Sequence, residues 1–535
     1  MSYPNRRVQK LLTFTVLLIA ILALFPLYSR FKRTTAPVPP GVYLGGLNLS
    51  DLKNSADIRQ HLERLYQEPI AVDFAEQRLV LRPGDIDFYL DVEGMVEEAG
   101  QYLAGAPMLD IAVREALGFA QTRRDVPVRF TLNVEKLRTW LVEVAAQHNR
   151  NPVRPRTVAS EQSRPNNAVP ADNLSNGAWR WVPGAPGYTL DIEKSIPPII
   201  AALTHHQNRV AKLALIETPP VLPHLDDLQP VLDSYLDRFP GFAAVYVLDL
   251  QSGAEISVDA DVAFSGGFML KLALALAAMK ELHNGLGVDN PTHAAIGQRI
   301  DLALSESDNA AANALLRDLG GGAQANGAQK LTDFVRSLGL VNTYLQAGFD
   351  ELPLPPLPTP ANQQTEWNTN PNANLQTTPA DMGRILGAIF ECSGGSGLLL
   401  QLAAQPITPE ECRHILFYMT HIPAQDLIWG GLPRPQERWI VHQQGLADET
   451  HADVALVWGP SGPYVISIFL YQGGWLPWET SNATMQAVSR FTWDFFAFQA
   501  EQGVKPAPPP PTLNPPPGYV ALGDYESTPA NPAGQ

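Results

Sequence analysis

The chain has 535 residues, with 38 basic and 54 acidic side chains and a formal net charge of −16 at pH 7. This length allows about two to four domains, each with its own core. The acidic balance argues against a nucleic-acid-binding surface, because phosphate contacts need clustered Lys and Arg side chains.

Residues 11–28 form an uncharged apolar run with basic residues on both sides. A run of this length can cross a bilayer as a helix. It does not end in the small residues of a signal-peptide cleavage site. The sequence therefore predicts a cytoplasmic N-terminus and a signal anchor in residues 1–33. We expect a single-pass protein of the plasma membrane with its C-terminal domains extracytoplasmic, and a buried globular helix is the alternative interpretation.

Residues 34–220 contain an internal repeat. Pro83-Gly84 is followed after five residues by Leu-Asp-Val-Glu93, and one hundred positions later Pro183-Gly184 is followed at the same spacing by Leu-Asp-Ile-Glu193. Each phrase leads into a helical pattern, which predicts a two-copy α+β domain. Further helices are expected at residues 50–66, capped by Ser50 or Asp51, and at residues 133–147.

Strand patterns at residues 70–74 and 78–82 belong to the first copy, whereas the polar residues 149–176 predict a mobile loop. The repeat, with the phrase Gly-Val-Tyr-Leu-Gly-Gly-Leu before it, resembles the peptidoglycan-binding modules that precede L,D-transpeptidase and VanW-type domains in bacterial surface proteins. The resemblance implies peptidoglycan as a partner. A repeated spacer that holds the next domain off the membrane is the alternative.

Residues 221–503 begin and end with strand pairs. The first pair, residues 242–250 and 255–258, flanks the turn Gln-Ser-Gly253, and the last pair, residues 454–458 and 464–471, flanks Gly-Pro-Ser-Gly462. Mostly helical patterns lie between them, and a final helix is expected from about residue 480 to residue 502. We predict one antiparallel sheet whose terminal strands meet, with helices packed on it. Residues 504–535 are rich in proline and predict a disordered or polyproline II tail.

The most informative stretch of this domain is residues 263–280, a glycine-containing start followed by an apolar helix of about three turns. An all-apolar helix is expected to be buried. A buried Lys271 needs a hydrogen-bonded partner or a shifted pKa, and both are common at catalytic sites.

A second motif, Ser307-Asp-Asn309, follows Lys271 by 36 residues, and Thr-Thr-Pro-Ala-Asp-Met382 comes later. Together these residues resemble class A β-lactamases and penicillin-binding proteins over about residues 224–502. The resemblance implies an α/β (α+β) fold, a transpeptidase-like antiparallel sheet with a helical block. It also implies an acyl-enzyme reaction at Lys271, Ser307 and Asn309. We expect Ser307 to cap the following helix and Asn309 to hydrogen-bond Lys271.

The sequence departs from this family at the nucleophile. The family places a serine one helical turn before its lysine, and here that position is Phe268, with Phe264 in the register of the family's preceding phenylalanine. A phenyl ring cannot attack a carbonyl group. Ser265 is the remaining serine of this stretch, and it is more typical of a helix cap or a turn than of a nucleophile.

The family's Lys-Thr/Ser-Gly motif on an edge strand is replaced by Gln443-Gln444-Gly445, which keeps the glycine but has no cation for a substrate carboxylate. The deacylating glutamate is also missing from its phrase, and Glu351 and Glu366 are weak candidates for that role. The resemblance therefore implies a catalytically degenerate domain that binds peptidoglycan, a cell-wall peptide or a protein partner. The alternative is an active serine β-lactamase or acyl-peptide hydrolase that uses Ser265 or Ser307 with Lys271.

The chain has only two cysteines, Cys392 and Cys412, and no spacing typical of a metal site. Outside the cytoplasm they could form one disulfide, and two buried thiols are the alternative. We expect no metal and no cofactor.

Overall fold

The computed structural model describes residues 14–15, 37–104, 123–159, 179–281, 291–402, 406–423, 425–433, 439–504, 509–517, 519 and 521. The predicted membrane span at residues 11–28 lies outside these residues, except for Phe14 and Thr15. Among the helices of the described ranges, none has both the length and the apolar character needed to cross a bilayer. The chain forms two compact units, one of Met1–Val153 with Ala185–Pro220 and one of Arg154–Gly184 with Val221–Gln535.

The first unit contains small sheets and four helices among its described residues. Its strands are β1 (Val42–Leu44), β2 (Leu47–Asn48), β3 (Ile70–Phe74), β4 (Gln77–Leu81), β5 (Tyr89–Leu90), β6 (Arg124–Val126), β7 (Phe130–Thr131), β10 (Gly187–Leu190), β11 (Val210–Lys212) and β12 (Leu215–Thr218). Its helices are α1 (Ser55–Tyr66), α2 (Val92–Ala104), α3 (Val134–His148) and α4 (Ile192–Thr204). The sheets have the orders β2-β1-β6, β11-β3-β4, β5-β7 and β10-β12.

The two copies of the sequence repeat have the same local structure. Each short strand, β5 or β10, is followed directly by an aspartate that caps the next helix. Asp91 Oδ1 accepts a hydrogen bond from the Gly94 backbone N–H at 2.9 Å, and Asp191 Oδ1 accepts one from Lys194 at 3.1 Å. A carboxylate that accepts from the third residue along satisfies one of the free N–H groups of a helix start.

The cap predicted for the first helix is wrong. Helix α1 begins at Ser55, and Asn54 caps it by accepting a hydrogen bond from the Asp57 backbone N–H at 2.8 Å. Ser50 instead donates from its backbone and its hydroxyl to Asn48. The polar residues between positions 48 and 55 offer several cap-forming side chains, and the local turn at Asn48 uses the earlier ones.

The segment 149–176, predicted as a mobile loop, contains a strand. The described part includes β8 (Arg156–Ala159), which pairs antiparallel with β9 (Trp179–Val182), while residues 160–178 lie outside the described part. This hairpin belongs to the second unit. Trp181 stacks on Phe498 with ring centroids 5.3 Å apart and meets Phe495 edge-on at the same distance.

The second unit is built on a five-stranded antiparallel sheet. Its other strands are β13 (Phe242–Asp249), β14 (Glu255–Val258), β15 (Phe264–Ser265), β16 (Tyr344–Leu345), β17 (Leu375–Thr377), β18 (Ile440–Leu446), β19 (Thr450–Trp458) and β20 (Pro463–Tyr471). Its described helices are α5 (Gln229–Leu236), α6 (Leu270–Glu281), α7 (Pro291–Ser305), α8 (Asn309–Leu319), α9 (Gln324–Ser337), α10 (Pro360–Gln363), α11 (Pro379–Ser393), α12 (Pro409–Met419), α13 (Leu427–Gly431) and α14 (Trp478–Glu501).

The main sheet has the order β14-β13-β20-β19-β18, so its first long strand lies beside its last one. This confirms the predicted sheet with meeting terminal strands. Side chains alternate between the two faces, as they must in a strand. Val454 and Leu456 join the core under the helical block, whereas Ala455 and Val457 join the core under α5, α13 and α14. A small second sheet, β15-β17-β16, lies beside the start of α6.

The second unit also contains a disulfide and a C-terminal segment that packs on its helices. Cys392, near the end of α11, forms a disulfide with Cys412 in α12. In the Pro-rich tail, Tyr519 packs on Phe417 and His421 with ring centroids 5.1 and 5.4 Å apart. This part of the tail is therefore held against the fold, although the sequence suggested a disordered or polyproline II segment.

Candidate active site

The start of α6 is fixed by a tight strand-to-helix connection. Strand β15 ends at Ser265, a single 3-10 turn covers Gly267–Met269, and α6 follows at Leu270. Phe264 is fully buried and packs against Phe469 at 5.3 Å. A side chain at Gly266 would clash with Leu270, which leaves no room for another residue. Helix α6 itself is buried from Leu270 to Met279, which confirms the predicted buried helix.

Lys271 is completely buried in the first turn of α6. Its ammonium donates a hydrogen bond to the backbone carbonyl of Ser307. Loss of solvation lowers the pKa of Lys271 to about 8, although the carboxylates of Asp308 and Asp350 act in the opposite direction. Burial disfavours the charged form of an amine, so a smaller shift would require a closer anion. Lys271 thus has both features that the sequence predicts, a partner and a shifted pKa.

Two phenyl rings enclose this ammonium. The Phe268 ring centroid lies 4.5 Å from Lys271 Nζ, and the Phe349 ring centroid lies 5.3 Å from it. Both distances are within the range of cation–π attraction. Phe268, one turn before the lysine, occupies the position where a nucleophilic hydroxyl would have to lie, and its ring contacts the amine directly.

Phe349 is held in place by a side chain of α8. Asn313 Oδ1 accepts a hydrogen bond from the Phe349 backbone N–H at 2.8 Å, and Asn313 Nδ2 donates to the Phe349 carbonyl at 3.0 Å. This paired contact places the ring over Lys271. Phe349 and Asp350 are not predictable from the sequence, because no motif or spacing marks either residue.

Ser307 contributes its backbone to the site. Its φ of +53° is uncommon for a residue with a side chain and turns its carbonyl toward Lys271. The helix cap predicted for Ser307 is wrong, because Asp308 caps α8 by accepting a hydrogen bond from the Ala311 backbone N–H at 2.7 Å. A residue in the left-handed region cannot have the extended backbone of a cap.

Asn309 does not make its expected contact with Lys271. Its Nδ2 donates to Asp350 Oδ2 at 2.6 Å, and its Oδ1 is buried without a hydrogen-bond partner among the described residues. The Ser307 carbonyl already accepts the hydrogen bond of the Lys271 ammonium, and Asn309 lies two residues further on, at the start of α8. Asn309 therefore orders the loop of Asp350, which lies near the lysine.

Ser265 does not cap a helix, and it does not lie on the helix that carries Lys271. It ends strand β15, and its hydroxyl accepts a hydrogen bond from the Asn372 backbone N–H at 2.9 Å. The expectation of a cap or turn residue is wrong because the backbone is paired with β17 at this point. Gly266 and the 3-10 turn Gly267–Met269 lie between Ser265 and the helix that carries Lys271.

Gln443, Gln444 and Gly445 lie on β18, which is an edge strand of the main sheet. Gln443 is fully buried and donates from Nε2 to the Gln444 carbonyl at 3.1 Å, while the side-chain oxygens of both glutamines lack partners among the described residues. A Cβ atom at Gly445 would lie 3.2 Å from Met269 and 3.6 Å from Phe268 Cβ. The glycine therefore lets the strand pack closely against the start of α6.

The two glutamates considered as general bases have other contacts. Glu351 Oε1 accepts a hydrogen bond from Gln324 Nε2 at 2.6 Å. Glu366 is exposed. The pKa of Asp259 is raised mainly by burial and, second, by the nearby charge of Glu366. The carboxylates with an electrostatic effect on Lys271 are those of Asp308 and Asp350. Neither glutamate is thus brought to the lysine.

Part of the second unit is similar in sequence to known β-lactamases. The sequence model of the Beta-lactamase enzyme family matches residues 287–496, a range that includes Ser307 and Gln443 but begins after Lys271. β-Lactamases of Mycobacterium tuberculosis (H37Ra) and Mycobacterium bovis are 29% identical over 183 residues, which are 34% of this chain and 50% of theirs. The chain therefore spans about half the length of the curated relatives it matches.

Solved structures of β-lactamases are also among the similar proteins. An ancestral (GNCA) class A β-lactamase is 23% identical with a TM-score of 0.38, covering 50% of this chain and 99% of its own. A TLA-1 extended spectrum β-lactamase is 17% identical with a TM-score of 0.38, covering 50% of this chain and 98% of its own. On the family match, the second unit contains a β-lactamase-like domain with an α/β fold.

Proposed function

We propose that the β-lactamase-like domain has lost acyl-transfer chemistry and acts as a binding domain of the bacterial cell envelope. The observation that carries this proposal is the pair of phenyl rings on Lys271 Nζ, at 4.5 Å for Phe268 and 5.3 Å for Phe349. Nucleophilic catalysis needs an activated oxygen within hydrogen-bond reach of a base. The base here donates to a backbone carbonyl and is otherwise faced by aromatic carbon.

The polar groups that remain beside this pair suit a neutral ligand. Gln444, on the edge strand β18, offers an amide where the family has a hydroxyl, and the fully buried Gln443 puts an uncharged group where the family has a cation. Amide groups can exchange hydrogen bonds with a peptide but supply no charge for a carboxylate. We infer that the ligand is a cell-wall peptide or a segment of a protein partner.

We further propose that the protein is located at the outer face of the plasma membrane. The apolar residues 11–28 would anchor the chain in the plasma membrane as a single span, and the first unit would bind peptidoglycan. The disulfide between Cys392 and Cys412 supports an extracytoplasmic position for the second unit, since disulfides persist in oxidising compartments.

An active hydrolase is the second candidate function. Its support is the Lys271 pKa of about 8, which would leave a useful fraction of this amine able to accept a proton near neutral pH. In this mechanism Ser307 or Ser265 would attack the carbonyl of a β-lactam or an acyl-peptide. Both hydroxyls would have to approach an amine whose hydrogen bond now goes to the Ser307 carbonyl.

Labelling with fluorescent penicillin separates the two functions. For the full chain we expect no covalent labelling after denaturing electrophoresis. Covalent labelling that is abolished by Lys271→Ala, and by either Ser265→Ala or Ser307→Ala, would refute the loss of chemistry.

A reconstruction experiment tests whether only the reacting groups are missing. The variant combines Phe268→Ser and Phe349→Glu with Gln443→Lys and Gln444→Thr. The matched control carries Phe268→Ala and Phe349→Ala, which opens the same space without a nucleophile. We expect slow labelling of the reconstructed variant and none of the control. If neither is labelled, the cleft itself no longer has the shape of a penicillin site.

Cosedimentation with purified sacculi tests the role of the first unit. The chain from residue 34 onward should appear in the pellet even when Trp475→Ala weakens any saccharide contact of the second unit, and it should be released by peptidoglycan hydrolase. A chain that stays in the supernatant would make the repeat a spacer.

A further inference from the structure

Four aromatic side chains, two exposed and two half-buried, are carried by strand ends and loops at one end of the main sheet. They are Phe242, Trp367, Tyr471 and Trp475, and we call them the aromatic patch. Trp475 is 61% exposed and Trp367 is 44% exposed. The rings of Phe242 and Trp367 lie 4.7 Å apart, and Phe242 is paired with Tyr471 across strands β13 and β20. Exposed tryptophans grouped in this way mark a binding surface.

A carboxylate ties the two tryptophan loops together. Glu449 Oε2 accepts a hydrogen bond from Asn370 Nδ2 at 3.0 Å, three residues after Trp367. Glu449 Oε1 accepts one from the Gly474 backbone N–H at 2.5 Å, directly before Trp475. These bonds, first from Asn370 and then from Gly474, hold the pKa of Glu449 below its ordinary value. Glu449 therefore joins the loop that carries Trp367 to the loop that carries Trp475, and its carboxylate has further acceptor capacity.

This combination restricts the chemistry of a ligand. The ligand must offer an apolar face to the indole rings and hydrogen-bond donors to the carboxylate. A pyranose ring has both, because its C–H face is apolar and its hydroxyls donate. A polyproline segment would fit the rings but has no N–H group to donate. It would therefore desolvate the remaining acceptor sites of Glu449 without supplying a donor, which is costly.

We propose that the aromatic patch binds a saccharide chain, with pyranose faces on Trp367 and Trp475 and hydroxyls donating to Glu449. The site does not depend on the function proposed for the Lys271 cleft. It would give the second unit its own means of attachment to a polysaccharide.

Titration of the full chain with N,N′,N″-triacetylchitotriose tests the proposal, with tryptophan fluorescence and calorimetry as readouts. We expect saturable binding that Trp475→Ala weakens about tenfold, which corresponds to the loss of about 1.4 kcal/mol from one aromatic contact. Glu449→Gln should weaken binding as well. Because Trp475 is mostly exposed, its loss should leave the melting temperature unchanged. Leu352→Ala, at an 87% exposed leucine, is the matched control and should bind as the parent does.

Four results would overturn the proposal. The first is no binding at millimolar probe, and the second is binding that Trp475→Ala does not change. The third is competition by hexaproline, which would make the patch a peptide-docking surface. The fourth is binding only of deacetylated chitotriose that disappears in 0.5 M salt, which would assign the patch to a cation attracted by Glu449.

Discussion

Replacing Lys271 with methionine tests whether burying this amine costs folding energy. Lys271 has no solvent exposure, and desolvation lowers its pKa from 10.5 to about 8. The difference of about 2.5 pKa units corresponds to about 3 kcal/mol, at about 1.4 kcal/mol for each unit. Methionine has a similar length and does not titrate, so it removes this cost and keeps most of the packing.

The sign of the pH dependence follows from the direction of the shift. Since the pKa of the folded chain lies below that of the unfolded chain, protonation of Lys271 favours unfolding. The cost is fully present below pH 8 and is largely lost as the pH rises to 10.5, where the amine is neutral in the folded chain and half protonated in the unfolded chain. We therefore expect the free energy of unfolding of the parent to gain about 3 kcal/mol relative to Lys271→Met between pH 7 and pH 10.5.

Urea unfolding at several pH values, followed by tryptophan fluorescence, measures this difference. Lys280→Met removes a lysine from the last turn of the same helix and serves as the matched control. If the free energies of unfolding of the parent and of Lys271→Met change with pH in the same way from pH 7 to pH 10.5, the ammonium is solvated in solution. The enclosure of Lys271 by Phe268 and Phe349 would then be wrong.

Three further predictions concern stability. Replacing Cys392 and Cys412 with alanine should lower the free energy of unfolding by about 3 kcal/mol, because the disulfide spans a sequence separation of 20 residues; thiol reduction should lower the melting temperature of the parent but not of the variant. Asn313→Ala should cost about 2 to 3 kcal/mol in urea unfolding, because the buried backbone N–H and carbonyl of Phe349 lose their partners. A cost below 0.5 kcal/mol would contradict that paired contact. Asp191→Ala should cost about 1 kcal/mol and Asp191→Asn only a few tenths, as judged by thermal unfolding followed by circular dichroism.

The parts of the fold that the sequence predicted depend on local pattern. Helix α6 was predictable because ten consecutive residues from Leu270 to Met279 are buried, so no face needed polar residues. The strand pairs were predictable because Gly-containing turns separate them. The start of α1 was missed because several residues before it can cap a helix, and the choice depends on the turn at Asn48.

The parts of the site that the sequence missed depend on contacts between distant segments. Phe349 reaches Lys271 only because Asn313, 36 residues earlier, binds its backbone on both sides. Likewise, the motif points to the Ser307 hydroxyl as the functional group, whereas the left-handed backbone of Ser307 directs its carbonyl toward Lys271. Neither fact has a local sequence signal, since both the pairing and the backbone angle are set by the packing of α8 against α6.

The enclosure of Lys271 explains how a buried amine can persist without catalysis. Removing it would leave the Ser307 carbonyl without its donor and the two phenyl rings without their cation, so each retained partner opposes the loss of the others. The same contacts fill the space that a substrate would need beside the amine. A binding role for this domain therefore has to rely on groups at the edge of the cleft and on the exposed surface, where Gln444 and the aromatic patch lie, rather than on the lysine that identifies the fold.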